Sequence, residues 1–415
     1  MQSTGQKPQI TDPIFNKKIV LTVIVAALGY FVDIYDLLLF SIVRVNSLKD
    51  IGVADADLLD QGMFLINIQM LGLLVGGLLW GAIGDIRGRL SVLFGSIFLY
   101  STANIANSFV TSVDTYAIWR FIAGVGLAGE LGAGITLVSE ILPKNKRGIG
   151  TTIVASIGIL GAVAGGVIGD LTHWRTAYLI GGGLGFSLLA LRVGVAESHL
   201  FDQIKDKASN KGNFLLLFSS FKNFFKYLRC ILIGVPIWFV IGILITFSPE
   251  LSQHMGMGDL VKAGHAVMWS YLGLSLGDLA SGLLSQFLKS RRFSVFVFLH
   301  LTVITSFLYL NLQSPSLTMF YFVCTLLGFS TGYWAVFVTI SAEQFGTNIR
   351  STVATTVPNF VRGAVIPLTF FFRLFQNVTD LKTAAMIVGG GCLTLAYLST
   401  WRMEETFHKD LDYLE

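Results

Sequence analysis

Charge is what this sequence has least of. Asp, Glu, Lys and Arg together make up 13% of 415 residues, against about 25% in a soluble domain. A chain of this length with so little charge cannot cover its surface in water, which excludes a large soluble protein. Cysteine is equally sparse. Cys230, Cys324 and Cys392 stand far apart, so they suggest neither a disulfide framework nor a metal cluster. No Walker loop occurs, which argues against direct ATP drive. No nucleophile constellation, metal-ligand cluster or cofactor loop is present, so the sequence predicts no enzyme, no cofactor and no metal site. The first eighteen residues are polar and no small-residue cleavage site follows the first apolar run. That run therefore reads as a retained helix and not as a signal peptide.

What the chain has is apolar length. Hydrophobic residues make up 53% and the mean hydropathy is +0.69. Runs of about 20 residues, enough to cross ~30 Å of hydrocarbon as a helix, recur near 19–43, 62–83, 91–110, 115–139, 149–169, 176–195, 230–248, 264–287, 293–312, 317–340, 352–374 and 381–400. They are too long for barrel strands and lack their alternation. The 44 glycines suit close helix packing in lipid. The expected fold class is an all-α membrane protein with twelve transmembrane helices. With the N-terminus placed inside, the inner connections hold 21 Lys and Arg and the outer ones six, leaving Arg120 and Arg362 within spans. This bias places both termini in the cytoplasm. It also assigns the net charge of +4 to membrane-flanking loops, so no nucleic-acid partner is expected.

Residues 197–229 form the longest inner connection, and an internal echo crosses it. In "SEILPKNKRG" Glu140 precedes Arg147 by seven residues, and in "AEQFGTNIRS" Glu343 precedes Arg350 by the same interval. The expected domains are a six-helix bundle over 1–196, a linker over 197–229 and a second six-helix bundle over 230–415. Parallel six-helix repeats are a known transporter plan, with substrate bound near the midplane between them.

The motifs carry a family resemblance over essentially the whole chain. "GAIGDIRGR" after the second span resembles the loop signature of the major facilitator superfamily through Gly81, Asp85, Gly88 and Arg89, with Ile86 where Arg is usual. "RFIAGVG" is similar to its fourth-span signature through Arg120, Gly124 and Gly126. "GAVAGG" in the fifth span is similar to the antiporter signature, but Ala162 replaces the usual Pro, which weakens an exporter reading. "GLAGELGAGITLVSE" and "VAESHLF" resemble the metabolite–proton symporters, with His199 in place of a Pro. "DIYDLLLF" resembles the first span of the phosphate–proton symporters. The second span lacks the Arg-Pro of metabolite symporters, and the seventh lacks the Asp of phosphate symporters. The resemblance thus implies proton coupling better than any substrate. It also implies a central cavity lined by spans 1, 2, 4 and 5 of one half and 7, 8, 10 and 11 of the other.

An ionised group at the centre of a span costs roughly 2.5–3.5 kcal/mol on insertion scales. Six are present on the spans implied to line the cavity: Asp33, Asp36, Glu130, Asp278, Arg120 and Arg362. Asp33 and Asp36 stand at i and i+3, on one face. Two close carboxylates in low dielectric rarely both ionise, so Asp33, Asp36, Arg120 and Glu130 are the proton-coupling candidates. The alternative is a static Asp36–Arg120 pair joining helices, with Asp33 hydrogen-bonded beside it and Glu130 bonded to neighbouring Ser, Thr or backbone groups of the first half. Arg362 suits bidentate capture of a carboxylate or phosphate. It is expected to pair with Asp278 until an anionic substrate competes, the alternative being a permanent pair. Tyr30, Trp238, Tyr333, Gln69 and Asn359 complete the predicted substrate site. Tyr35, Tyr271, Trp334 and Asn67 lie at similar depth, where packing is the competing role. Asp85, Arg89, Glu140 and Arg147 are the expected gating latch. Pro358 and Pro367 are expected to kink the eleventh span.

The sequence therefore predicts a monomeric, multi-pass protein of a bacterial inner membrane. Its partners would be lipid, protons and a small molecule, and its task the proton-coupled uptake of a small polar, anionic metabolite by alternating access. The alternative is a proton-driven exporter of a drug, siderophore or metabolite. A receptor built on the same fold is disfavoured by the short loops.

Overall fold

The computed structural model describes residues 17–87, 89–130, 147–196, 220–257 and 261–407. Helices fall on all twelve predicted runs. In the first half they are α1 (Lys17–Asp50), α2 (Leu58–Arg87), α3 (Arg89–Asn107), α4 (Val113–Leu127), α5 (Arg147–Leu171) and α6 (Trp174–Ala196). In the second half α7 (Phe221–Phe239) continues into a π-helical turn (Val240–Ile245), and a short α8 (Ser248–His254) lies outside the runs. There follow α9 (Ala263–Leu288), α10 (Arg291–Leu310), α11 (Leu317–Ser330), α12 (Trp334–Glu343), α13 (Thr347–Gly363), α14 (Val365–Gln376) and α15 (Leu381–Trp401). The twelve runs map onto these elements because the tenth span is α11 plus α12 and the eleventh is α13 plus α14. The fold is the two-bundle, twelve-helix architecture.

Starts are fixed by local chemistry. Ser112, Ser220, Ser290, Ser316 and Asp380 each accept a hydrogen bond from the backbone N–H three residues on, satisfying a donor that the first turn leaves free.

Glycine sets the packing within each half, and it does so twice. Side chains at Gly72 and Gly76 of α2 would strike the backbone of Phe121 and Val125, and one at Gly124 of α4 would strike Gln69. In the second half Gly273 and Gly277 of α9 face the backbone of Thr325 and Phe329, and Gly328 of α11 faces Ser270. The α2–α4 contact is thus rebuilt as α9–α11, glycine for glycine, which is the internal repeat expressed in three dimensions. The halves meet along α5–α9, α2–α13 and α1–α9.

Three elements break where the halves face each other. The π turn follows Pro236 and carries Ile241. A gap at Thr331–Tyr333 divides α11 from α12, and Ala364 divides α13 from α14. The expectation that Pro358 and Pro367 kink the eleventh span is displaced by a few residues. Pro358 lies inside continuous α13. Pro367 sits in the first turn of α14, where its missing N–H costs nothing.

Candidate functional site

The site grows from α1 and α13. Asp33 and Arg362 approach from opposite halves, Nη2 to Oδ2 at 3.5 Å, with side chains 0% and 1% exposed. A buried pair at that distance is loose, and three polar atoms around it have no partner: Asp33 Oδ1, Arg362 Nε and Arg362 Nη1. Beside the guanidinium lies a small cavity, open on one side, that the two halves line together. Its walls are aromatic: Tyr30 from α1, Trp238 from α7, Tyr271 from α9 and Trp334 from α12. Ile34, Ile159, Ile237, Ile241 and Leu274 fill the gaps, and Asp278 and Arg362 supply the charge. Arg362 lies 6.0 Å from the Trp334 ring centroid, within cation–π reach. Gly158 admits the Tyr30 ring, on which a side chain would collide.

The structure brings together Tyr30, Trp238, Asp278 and Arg362 of the predicted substrate residues, with Asp33 beside them, and with Tyr271 and Trp334 from the wider group. It does not bring the others there. Gln69 accepts from Arg120. Tyr333 is buried in the second half, donating to Ile233 O at 3.0 Å. Asn359 crosses between the halves, donating to Ala128 O at 3.1 Å.

Two predicted pairings do not form. Arg120 is not in ion-pair contact with Asp36. Its guanidinium donates to Gln69 and, at 3.4 Å, to Tyr178, and lies 5.0 Å over Phe40. Asp36 turns instead into the first half, against Gly181 of α6 and Asn104 of α3. Its two oxygens have no hydrogen-bond partner. Asp278 does not pair with Arg362. The gap before α12 leaves backbone donors free, and Asp278 Oδ1 accepts from Ala335 N at 3.2 Å, as a capping carboxylate does.

Glu130 is held within its own half by Arg192 of α6, in a buried pair. Glu140 lies outside the described residues, as do the side chains of Asp85, Arg89 and Arg147. Two further arginines are buried. Arg44 and Arg192 stand at span ends, where the sequence assigns them to the connecting loops, yet they are 0% and 7% exposed. For Arg44 a signal existed: it stands eleven residues after Asp33, about three turns on and on the same helical face.

The Major Facilitator Superfamily profile matches residues 20–373 of the chain. The niacin transporter NiaP of Acinetobacter baylyi is 24% identical over 370 residues, covering 79% of this chain and 80% of its own. The inner membrane metabolite transport protein YgcS of Escherichia coli is 27% identical over 317 residues, covering 68% and 69%. Among solved structures, the inward-open xylose transporter XylE of E. coli superposes with a TM-score of 0.69 at 16% identity, over 95% of this chain and 98% of its own.

Proposed function

The chain belongs to the major facilitator superfamily, and from that premise we propose that it couples proton entry to the uptake of a small, planar carboxylate. That it is a multi-pass membrane transporter and not an enzyme follows from the family itself. The carrying observation is Arg362, a buried arginine with two unpartnered nitrogens in an aromatic-walled cavity between the halves. A guanidinium offers paired donors that match a carboxylate. The rings of Tyr30, Trp238, Tyr271 and Trp334 suit a flat apolar body, as in an aromatic or heteroaromatic acid. The niacin transporter among the relatives supports that class.

In this reading Asp33 and the substrate share one cation. The incoming carboxylate takes Arg362, and Asp33, left without its partner, takes a proton. Anion and proton then cross together as the lobes, 1–196 and 230–415 joined through 197–229, rock about the site. Asp278 keeps α12 in place and Trp334 against the ligand. The Lys and Arg distribution supports cytoplasmic termini and hence an inward proton gradient as the drive.

The test is uptake of radiolabelled nicotinate and benzoate into proteoliposomes with an imposed pH gradient, with xylose as the neutral comparison. Both acids should accumulate only when the proton gradient points inward. Arg362→Ala should lower uptake at least about a hundredfold, the scale for removing one partner of a buried charged contact. Arg362→Lys should recover little of it, since Lys lacks the planar fork. Uptake of xylose but of neither acid, or full activity of Arg362→Ala, would remove the proposal. Loss of preloaded acid against an inward proton gradient would favour the exporter instead.

A further inference from the structure

The charges that join the two halves are not spread evenly. Among the described residues, every cross-half ion pair except Asp33–Arg362 lies at the end of the bundle away from the chain termini. Arg373 of α14 meets Asp60 of α2 at 2.6 Å. Lys262 and His265, at the start of α9, meet Asp170 of α5 at 2.5 and 3.2 Å. These pairs are partly exposed, and exposed pairs hold weakly.

The third is different. Arg44 of α1 is 0% exposed and reaches both carboxylate oxygens of Glu250 on α8, at 2.6 and 2.7 Å. The same guanidinium donates to Leu58 O and Thr246 O and lies 4.8 Å from the Phe247 ring centroid. Gly62 of α2 leaves the space through which its side chain passes. One buried cation therefore ties α1 and α2 of the first half to α8 and the Thr246–Phe247 link before it in the second.

Its position matters as much as its contacts. Arg44 and Asp33 share one unbroken helix, Lys17–Asp50, on faces ~20° apart and about 16 Å along the axis. A rigid helix cannot carry Asp33 away from Arg362 without loading the Arg44–Glu250 contact. We infer that Arg44 and Glu250 form the principal latch that seals the cavity at the end away from the termini, with Asp60–Arg373 and Asp170–Lys262 as its outlying struts. The latch does not depend on which solute is carried.

The test reads access to the cavity. Cys230, Cys324 and Cys392 are replaced, and a reporter cysteine is placed at Ile159 on the cavity wall. A membrane-impermeant maleimide is added on the side away from the termini, that side being identified by protection of an N-terminal tag from protease. Glu250→Gln should raise the labelling rate at least about tenfold, as expected when one partner of a buried pair is lost. Asp55→Asn, which breaks only the within-half pair with Lys49, should leave the rate unchanged. The exchanged pair Arg44→Glu with Glu250→Arg should return the rate toward that of the parent. Where the charge variants fail to insert, oxidation of the Asp170→Cys, Lys262→Cys protein decides: the cross-link should slow labelling and reductant should restore it. Unchanged labelling in Glu250→Gln, an exchanged pair as fast as the single variant, or a cross-linked protein that labels at the reduced rate would each overturn the latch.

Discussion

Gly29 has no side chain because two others meet where it would be. A Cβ there would fall on Arg192 Nη2 and Glu130 Oε1, the atoms of the buried pair that joins the segment just after α4 to α6. Gly29→Ala should therefore act by parting that pair, at a cost of about 3–5 kcal/mol for a broken buried ion pair. The check is a thermal scan in detergent, with Glu130→Gln as the background for a double-mutant cycle. The glycine substitution should cost much less once the pair is gone. Additive losses would mean that Gly29 serves backbone packing alone. Glu130 was legible in the sequence as an acid in need of a partner, and Arg192 was not, because an arginine near a span end is usually one that reaches out to the headgroups. The same limit explains Asp36. Depth along a helix can be counted from the sequence, but i and i+3 lie ~60° apart around it. That angle is enough for Asp33 to face the second half while Asp36 faces into the first.

At the scale of elements, the breaks matter more than the helices. The π turn after Pro236, the gap before Trp334 and the interruption at Ala364 each aim a cavity residue, and irregular backbone is tolerated at membrane depth only where protein or a cavity surrounds it. The spans themselves were readable from apolar length. Two of these interruptions were not, since the Thr331–Tyr333 gap follows from the close approach of Gly332 to Gly277, a contact between distant segments. A different element contact controls the end of the chain. Glu405, beyond α15, accepts hydrogen bonds from Ser290 Oγ and from the backbone N–H groups of Arg291, Arg292 and Phe407. Partial burial pushes its carboxyl up, but these bonds to the ionised form outweigh it and hold it below the usual glutamate range. The sign follows. Stability from Glu405 is fully present above the ordinary value of about 4.3 and is lost as pH falls through the lower folded value. The melting temperature of Glu405→Gln should lie below that of the parent by a constant margin from pH 5 to 7. The two should converge only on strong acidification. A margin that grew with acid would contradict the assignment.

For the whole molecule, the repeat was visible in sequence as an echo of motifs, and it returns as matched glycine contacts within each half. How the halves seat on each other was not visible, because no local pattern records which faces meet across a cavity. That distinction predicts two classes of glycine variant. Gly328 lies inside the second half, where an added Cβ would strike the backbone of Ser270. Backbone cannot yield there without moving α9 from α11, so Gly328→Ala should lower the melting temperature by several degrees, on the scale of 1–3 kcal/mol for overpacking. Gly166 lies between the halves, where a Cβ would sit 2.9 Å from both Gly264 O and Met268 Cβ. There the obstruction can be relieved by moving one lobe against the other, the motion that the proposed mechanism requires. Gly166→Leu should leave the melting temperature close to that of the parent while raising maleimide labelling of the cavity from the side away from the termini. Two measurements on one preparation separate the classes. A Gly166→Leu protein that melts early with unchanged labelling would show that the α5–α9 contact belongs to a fixed core and not to a surface that parts.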